Sequence, residues 1–456
     1  MRLPRILRQW IRQCCILHPL PTSPAVLPVA DTTLRCAHWF GGIGCAAHQL
    51  SDSFIPHCYF DHDADANSHF TSAFPSAICS GSFEAAMAPD SAFMTAAKTC
   101  PVGFCSPPCS DISKVNDFRD EFSACADLTI ESVRKLCLVG HEVFCLETSS
   151  SILSSRGGRL LSDMYAAAAA GSPKYVPQIC MMDPVRLGGS QSRCRAYICF
   201  VRSDVHSRRG PLVLPTTDQP KSPVPLLLLL DPVAEVAPMP STYSRLAWTA
   251  ADRCHDPDHH GPRLAFVSSV HSPFPMAKCF SVDGPSPALT SGQCWVYDPR
   301  VGVERHRLFS VPEMLRIQGL PGNILATASL SSARKLIGRG TEGHCMKAMG
   351  DAISSYLDSP TPDSPPTHEH GRLLNNVPAA HLKHIRANSF SGVPLELANA
   401  KLGFMVPAAM RCMGFKVPQS FFCRIASMAK ARKKPRVSTG RVPTPGLCVC
   451  DFDARV

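Results

Sequence analysis

A proline-flanked cysteine is the residue of this chain best placed to do chemistry. Cys109 follows Pro107 and Pro108, directly after the β-prone residues 102–104. Because two prolines fix φ and disfavour helix, we expect a stiff loop at the carboxyl end of a strand. Ligands bind at that edge of open α/β sheets, so a thiol held there could act as a nucleophile. The alternative interpretation is a proline-rich turn that holds one of many cysteines.

Charged side chains of both signs follow other predicted strands. Glu147 ends the apolar segment 142–149, where a carboxylate is otherwise commonly a helix cap or a surface acid. Arg193 and Arg195 lie two residues apart on the alternating segment 188–201, which predicts a strand. Side chains two apart on a strand share one face, so both arginines should point the same way, towards either a site or solvent.

A glycine turn connects a predicted strand to a predicted helix within residues 36–50. The turn contains Phe40, Gly42, Ile43 and Gly44. Glycine lets a backbone approach a ligand closely at the start of a helix. About twenty residues later, Asp61 and then Asp63 follow a second predicted strand, where an acid can accept hydrogen bonds from ribose hydroxyls. A solvated acidic loop is the alternative.

Composition limits the class of protein. The chain has 456 residues, enough for about two or three domains, and its 45% apolar and 18% charged residues predict a folded protein. A formal charge of +10 is compatible with a polyanionic partner. The 23 cysteines contain no CxxC pair, which favours a reducing compartment. The longest aliphatic run, residues 226–230, is too short for a membrane span, and no obligate protein partner is indicated.

These segments resemble, in order, the motifs of the C5 cytosine-specific DNA methyltransferases. The resemblance covers roughly residues 31–205 and 290–355. Cys109 lies in the family's Pro-Pro-Cys loop, and Glu147 matches its Glu-Asn-Val motif. Gln191, Arg193 and Arg195 match its Gln-x-Arg-x-Arg motif.

The resemblance implies a fold class and a cofactor. The fold would be α/β: a Rossmann-like class I methyltransferase with a mainly parallel sheet, plus a smaller irregular target-recognition domain. The cofactor would be S-adenosylmethionine, bound by Phe40, Gly42, Ile43, Gly44, Asp61, Asp63, Ser82 and Pro107. The sequence departs from the family's motifs at His38, Cys45, Ser82, residues 110–112, Thr148 and Ser149.

The resemblance also divides the chain. Residues 1–30 would form a basic arm, 31–205 and 291–357 the catalytic domain, 206–290 the target-recognition region, and 358–456 a linker and basic tail. The family's last motif, a turn and helix over the cofactor, has three possible registers: residues 338–340 or 343–345 before a helix over 349–357, or residues 387–390. The group Cys254, His255, His259 and His260 is a weak zinc signal, and we expect no metal.

The resemblance assigns a role to each catalytic residue. Cys109 would add to C6 of a cytosine turned out of the duplex, Glu147 would act near N3 and Arg195 near O2, while Arg193 would hold the loop. DNA is the expected substrate. Transfer RNA, an inactive nucleic-acid-binding scaffold and a cysteine hydrolase on the same sheet are the alternatives.

Basic segments at the two ends of the chain bear on the compartment. An intracellular location is expected, nuclear from the basic segment 430–436 or organellar from the arginines of residues 1–30.

Overall fold

The computed structural model describes residues 33–113, 124–153, 155–215, 221–232, 248–250, 264–268, 278–282, 284–290, 295–301, 306–325 and 328–359. The basic arm, the histidine group at 254–260, the candidate register 387–390 and the basic segment 430–436 lie outside these residues. Across the described part of the chain, none of the helices has the length and apolarity needed to cross a membrane.

Seven strands form the main sheet. They are β1 (Leu34–Trp39), β2 (Phe54–Phe60), β3 (Ile78–Ser80), β4 (Val102–Cys105), β5 (Val143–Ser149), β6 (Tyr175–Met182) and β7 (Arg195–Arg202). Their order is β3-β2-β1-β4-β5-β7-β6. Only β7 is antiparallel to its neighbours in this sheet, β5 and β6. The predicted Rossmann-like, mainly parallel α/β class is therefore confirmed.

Ten α-helices are described. They are α1 (Cys45–Leu50), α2 (Ala64–Ala73), α3 (Phe83–Met87), α4 (Ala92–Lys98), α5 (Ala124–Val139), α6 (Arg159–Ala170), α7 (Ser203–Arg209), α8 (Val311–Ile317), α9 (Leu330–Arg339) and α10 (Gly343–Asp358). A capping box starts α8: the Ser310 hydroxyl accepts from the Glu313 amide, and the Glu313 carboxylate accepts from the Ser310 amide.

The strand order creates a switch point between β1 and β4. β1 pairs with β2 on one side and with β4 on the other, so successive crossovers leave it in opposite directions. Loops after the carboxyl ends of these strands diverge there and leave a crevice, where α/β proteins bind ligands. The glycine turn after β1 and the Pro-Pro-Cys loop after β4 both begin at this crevice.

The two faces of the main sheet are covered by different helices. One face packs against apolar side chains of α4, α5 and α6, including Phe93, Val133 and Leu160. The other packs against α1 and α10, through residues such as Leu50 and Met349. Burial of these side chains provides the main free energy that holds the helices to the sheet.

A second sheet contains five strands from the later part of the chain. They are β8 (Trp248–Ala250), β9 (Leu264–Ser268), β10 (Lys278–Ser281), β11 (Trp295–Tyr297) and β12 (His306–Leu308), in the order β12-β11-β10-β9-β8. This sheet extends to Leu308, past the boundary predicted at 290, because β11 and β12 pair within it. The division of the chain into domains stays a prediction.

Buried charges attach the second sheet to α8. The Arg307 guanidinium on β12 lies 2.9 Å from the Asp298 carboxylate and 2.7 Å from the Glu313 carboxylate. Both acids are completely buried, and Arg316 on α8 pairs with Asp231 beside them. A buried guanidinium that serves two carboxylates fixes their relative positions, because removing one partner would leave a buried charge uncompensated.

A buried histidine supports the centre of the main sheet. The His141 Nδ1 atom donates to the Cys100 carbonyl at 2.8 Å, and its Nε2 atom accepts from the Trp39 indole at 3.4 Å. Burial lowers the pKa of His141 to about 4, so the ring is neutral at pH 7. Gly103 on β4 leaves the space that this ring fills.

We expect Gly103→Ala to destabilise the protein. A Cβ at this position would lie 2.6 Å from His141 Cδ2 and 3.3 Å from Phe144 Cβ, and the histidine ring is held by two hydrogen bonds. Overpacking of this kind costs about 1–3 kcal/mol, which urea unfolding would measure. Gly81→Ala is the control, since its nearest contact would be Asn67 at 3.9 Å. Equal stability of the two variants would contradict this account of Gly103.

Candidate active site

Glu147 and Arg195 lie together at the carboxyl end of β5 in the main sheet. Glu147 is near the end of β5 and Arg195 begins the antiparallel β7, where it pairs with Ser149. The Glu147 Oε1 atom lies 3.3 Å from Arg195 Nε, and both side chains are largely buried. The antiparallel register therefore places an acid and a cation side by side where the sequence only suggested two separate strand ends.

Cys109 stands beside this pair. It precedes a single 3₁₀ turn, Ser110–Ile112, and is partly exposed, with Ile112 buried behind it. Two contacts join the Cys109 loop to its neighbours: the Ser149 backbone amide donates to the thiol, and the Ser106 hydroxyl bonds the Glu147 carboxylate. The Cys109 loop thus contacts the Glu147 strand directly.

The charges around Cys109 act in opposite directions. Burial raises the pKa of the Cys109 thiol and the Glu147 carboxylate raises it further, while Arg195 and Arg193 lower it in part. Burial likewise raises the pKa of Glu147, against the effect of the two arginines and Ser106. A cysteine and a carboxylate whose pKa values are shifted by burial and by nearby charges are typical of a functional site.

The strand predicted within residues 188–201 begins only at Arg195, so Arg193 precedes β7 and the argument from a shared strand face does not apply to it. The Arg193 guanidinium donates to the carbonyls of Leu289 (2.6 Å), Gly338 (3.1 Å) and Gly340 (3.1 Å). Arg193 therefore holds the returning segment of the chain against the site.

Two glutamines reinforce the contact between Arg193 and the later part of the chain. Gln191 donates to Gln318 at 2.8 Å and accepts from the Leu289 amide at 3.3 Å. Gln318 in turn donates to the carbonyls of Gly340 and Thr341. Both glutamines are completely buried, so their side-chain amides provide hydrogen-bond partners for main-chain groups that water does not reach.

The glycine turn after β1 has the backbone that its sequence requires. Phe40, Gly42 and Gly44 have φ values of 54°, 56° and 78°, and Ile43 packs into the core between them. The Gly42 amide donates to Asp61 Oδ2 at 2.8 Å, and the Tyr59 hydroxyl donates to the Gly42 carbonyl. A side chain at Gly42 would meet no atom within 4 Å, so open space lies beside this turn.

The other predicted cofactor residues differ in their contacts. Asp61 accepts from the backbone amides of Gly42 and Asp63, one on each carboxylate oxygen, so it braces the turn. In contrast, the Asp63 and Ser82 side chains cap the starts of α2 and α3. Pro107 is buried in the Cys109 loop.

The residues of the turn fit an S-adenosyl cofactor. A carboxylate oxygen can accept more than one hydrogen bond, so Asp61 keeps acceptor capacity for ribose hydroxyls after bracing Gly42. The Cys109 loop is joined to the end of β1, the strand before the glycine turn, because the Ser106 amide donates to the Trp39 carbonyl.

Two of the three registers predicted for the last motif lie at helix ends. Of the three registers considered, residues 343–345 begin α10, with Glu342 as its capping residue, and residues 338–340 close α9. The helix predicted over 349–357 begins six residues earlier, at Gly343, because the Glu342 carboxylate accepts from the Cys345 amide and starts it there.

Sequence reasoning gave no role to Ser106 or to the Ser149 amide, although both contact the reactive groups. Ser106 could have been noticed as the hydroxyl nearest to the prolines, but its partner Glu147 is visible only in three dimensions. Within the described part of the chain, no group of three or more His, Cys, Asp or Glu residues could hold a metal ion.

Comparisons with known proteins support the fold. The sequence matches no protein-family model and no curated protein. Among solved structures, the chain is similar to a methyltransferase of Entamoeba histolytica, with 13% identity and a TM-score of 0.51 over 72% of this chain and all of that one. It is also similar to a proposed DNA modification methyltransferase from a prophage of Escherichia coli, with 14% identity and a TM-score of 0.52 over the same shares. At these identities the likeness shows a methyltransferase fold.

Alkylation of Cys109 should follow the charge of Glu147. Because the Glu147 carboxylate raises the pKa of the thiol, Glu147→Gln should lower that pKa and speed reaction with iodoacetamide at pH 8, by up to about tenfold. Arg195→Ala should slow the same reaction, because it removes a cation that favours the thiolate. Peptide mass spectrometry would give the rate at Cys109. Unchanged rates in both variants would show that these charges do not act on the thiol.

Proposed function

We propose that this protein transfers a methyl group from S-adenosylmethionine to C5 of a cytosine in DNA, through a covalent adduct at Cys109. The observation that carries the proposal is the meeting of Cys109, on the loop after β4, with Glu147 and Arg195 at the carboxyl end of the neighbouring strand β5 in a methyltransferase fold. Phe40, Gly42, Ile43, Gly44 and Asp61 would hold the cofactor there.

The reaction needs a nucleophile because cytosine C5 is unreactive towards electrophiles. Addition of the Cys109 sulfur to C6 forms a C–S bond and moves a ring electron pair to C5, which makes an enamine. The bound cofactor would supply the electrophilic methyl group, with the S–CH3 bond broken and S-adenosylhomocysteine as the leaving group. After C5 has gained the methyl, transfer of the C5 proton to a base or water and release of the Cys109 thiolate from C6 restore the aromatic ring.

Glu147 and Arg195 would stabilise the charge that develops on the ring. Addition of the thiolate increases negative charge at N3 and O2, so an acid that can donate at N3 and a guanidinium at O2 act on the transition state. The raised pKa of Glu147 favours donation of a proton from its carboxyl group. One such donor is typically worth about 3 kcal/mol, or on the order of a hundredfold in rate.

The thiol and the acid would also act on each other. The Glu147 charge opposes formation of the thiolate at Cys109 in the free protein. When Glu147 shares a proton with the substrate ring, that opposition falls and Arg195 and Arg193 favour the thiolate. The nucleophile would thus form mainly when a base occupies the site, which requires the cytosine to leave the DNA stack.

Cys109→Ser should abolish methyl transfer while S-adenosylmethionine binding remains. The hydroxyl is a far weaker nucleophile, whereas the glycine turn and Asp61 are unchanged. Mass spectrometry of 5-methylcytosine after incubation with DNA or transfer RNA would measure transfer. Cys125→Ser on α5, also a partly exposed cysteine, is the control and should keep activity.

Each outcome separates the alternatives. Product in RNA but not in DNA would replace the proposed substrate with transfer RNA. Cofactor binding without product on either nucleic acid would favour an inactive scaffold. Full activity of Cys109→Ser would overturn the covalent mechanism.

A further inference from the structure

Helix α9 carries three polar side chains that reach the start of α2. The Ser332 hydroxyl donates to Asp65 Oδ2 at 2.7 Å. Lys335 Nζ lies 3.0 Å and Arg339 Nη1 3.3 Å from Asp63 Oδ2. Because these positions follow helical spacing, they form one stripe along α9. Two cations therefore converge on a single carboxylate oxygen.

Asp63 joins these cations to the cap of α2. Its Oδ1 atom accepts from the amides of Asp65 and Ala66, which leaves Oδ2 for Lys335 and Arg339. Burial alone would raise the pKa of Asp63, but the hydrogen bond and charge of Lys335, with the two backbone amides, lower it. Asp63 is therefore ionised at neutral pH, and both ion pairs are formed.

The same residue connects to the glycine turn. The Asp63 amide donates to Asp61 Oδ1 at 2.9 Å, and Asp61 Oδ2 accepts from the Gly42 amide at 2.8 Å. The orientation of the Asp61 carboxylate thus depends on the position of the Asp63 backbone amide. That backbone is fixed by the contacts which α9 makes to the start of α2.

Helix α9 is itself fixed from the other side. Ala333, Leu336 and Ile337 are buried in the same apolar cluster as Ile43 of the glycine turn. Arg193 donates to the carbonyls of Gly338 and Gly340 at the end of the helix. A shift of α9 along its axis would break these bonds. Lys335 and Arg339 therefore contact Asp63 from a helix whose position is fixed.

We propose that Lys335 and Arg339 are positioning residues that set the affinity for the cofactor. They act through Asp63 and Asp61 on the amide of Gly42. This inference rests on the proposed function, since the turn is taken to hold an S-adenosyl compound. Exposed ion pairs usually contribute little, and Lys335 and Arg339 are 47% and 55% exposed. A moderate effect is therefore expected, of about three- to tenfold in Kd for the two cations together.

The test compares cofactor binding by the double variant Lys335→Ala/Arg339→Ala with binding by the parent protein. Calorimetry with S-adenosylhomocysteine at low and high salt would give Kd. We expect a Kd about three- to tenfold higher in the variant at low salt, with a weaker salt dependence, because salt screens the ion pairs only in the parent. KM for S-adenosylmethionine should rise and kcat should stay unchanged.

Two further proteins complete the experiment. The conservative variant Lys335→Arg/Arg339→Lys should restore the parent Kd, which a general loss of stability would not explain. Lys347→Ala is the matched control, because Lys347 is 48% exposed and pairs with Asp351 at 3.4 Å on α10. An unchanged Kd in the double variant, or an equal rise in Lys347→Ala, would overturn the inference. A parent protein that binds no S-adenosyl compound would instead overturn the proposed function, and this inference with it.

Discussion

One buried guanidinium joins the two halves of the molecule. Arg193 precedes β7, and its three acceptors come from later parts of the chain: Leu289 lies between β10 and β11 of the second sheet, and Gly338 and Gly340 follow that sheet. A guanidinium carries five donors in a fixed plane, so it can serve several carbonyls whose positions it then defines. Arg193 thus connects the start of β7, at the candidate site, to the end of α9 and to the second sheet.

The candidate site is held by the fold against its own electrostatic preference. Burial of Cys109 and Glu147 disfavours the charged form of each, and the Glu147 charge also disfavours the Cys109 thiolate. Arg195 lowers both pKa values and so offsets only part of this effect. Sites of this kind are retained for function rather than stability, because a packed scaffold supplies the free energy that the site itself does not. The apolar layers on both sides of the sheet are that scaffold here.

The sequence was most informative where a feature is local. The strand ends at Cys109 and Glu147 and the turn at Gly42 each depend on neighbours within a few residues. The partners of Arg193 could not be predicted from strand alternation, because these acceptors lie 96 to 147 residues away. For the same reason the side chain of Asp63 was assigned to a ribose, while in the structure it caps a helix and meets α9. Long-range partners decide what a locally well-placed polar group does.

The packing of α10 has a consequence for synthesis of the chain on the ribosome. Met346, Met349 and Ile353 of this helix cover the same sheet face as Cys36 on β1, and Gly350 lets the helix approach Leu50 closely. The first strand of that face emerges some three hundred residues earlier. Until the helix is made, this face would be open to solvent, and a nascent chain of such length with exposed apolar surface is a typical client of chaperones. All seven strands of the main sheet precede residue 203, but the covering of this face is completed only when α10 has been translated.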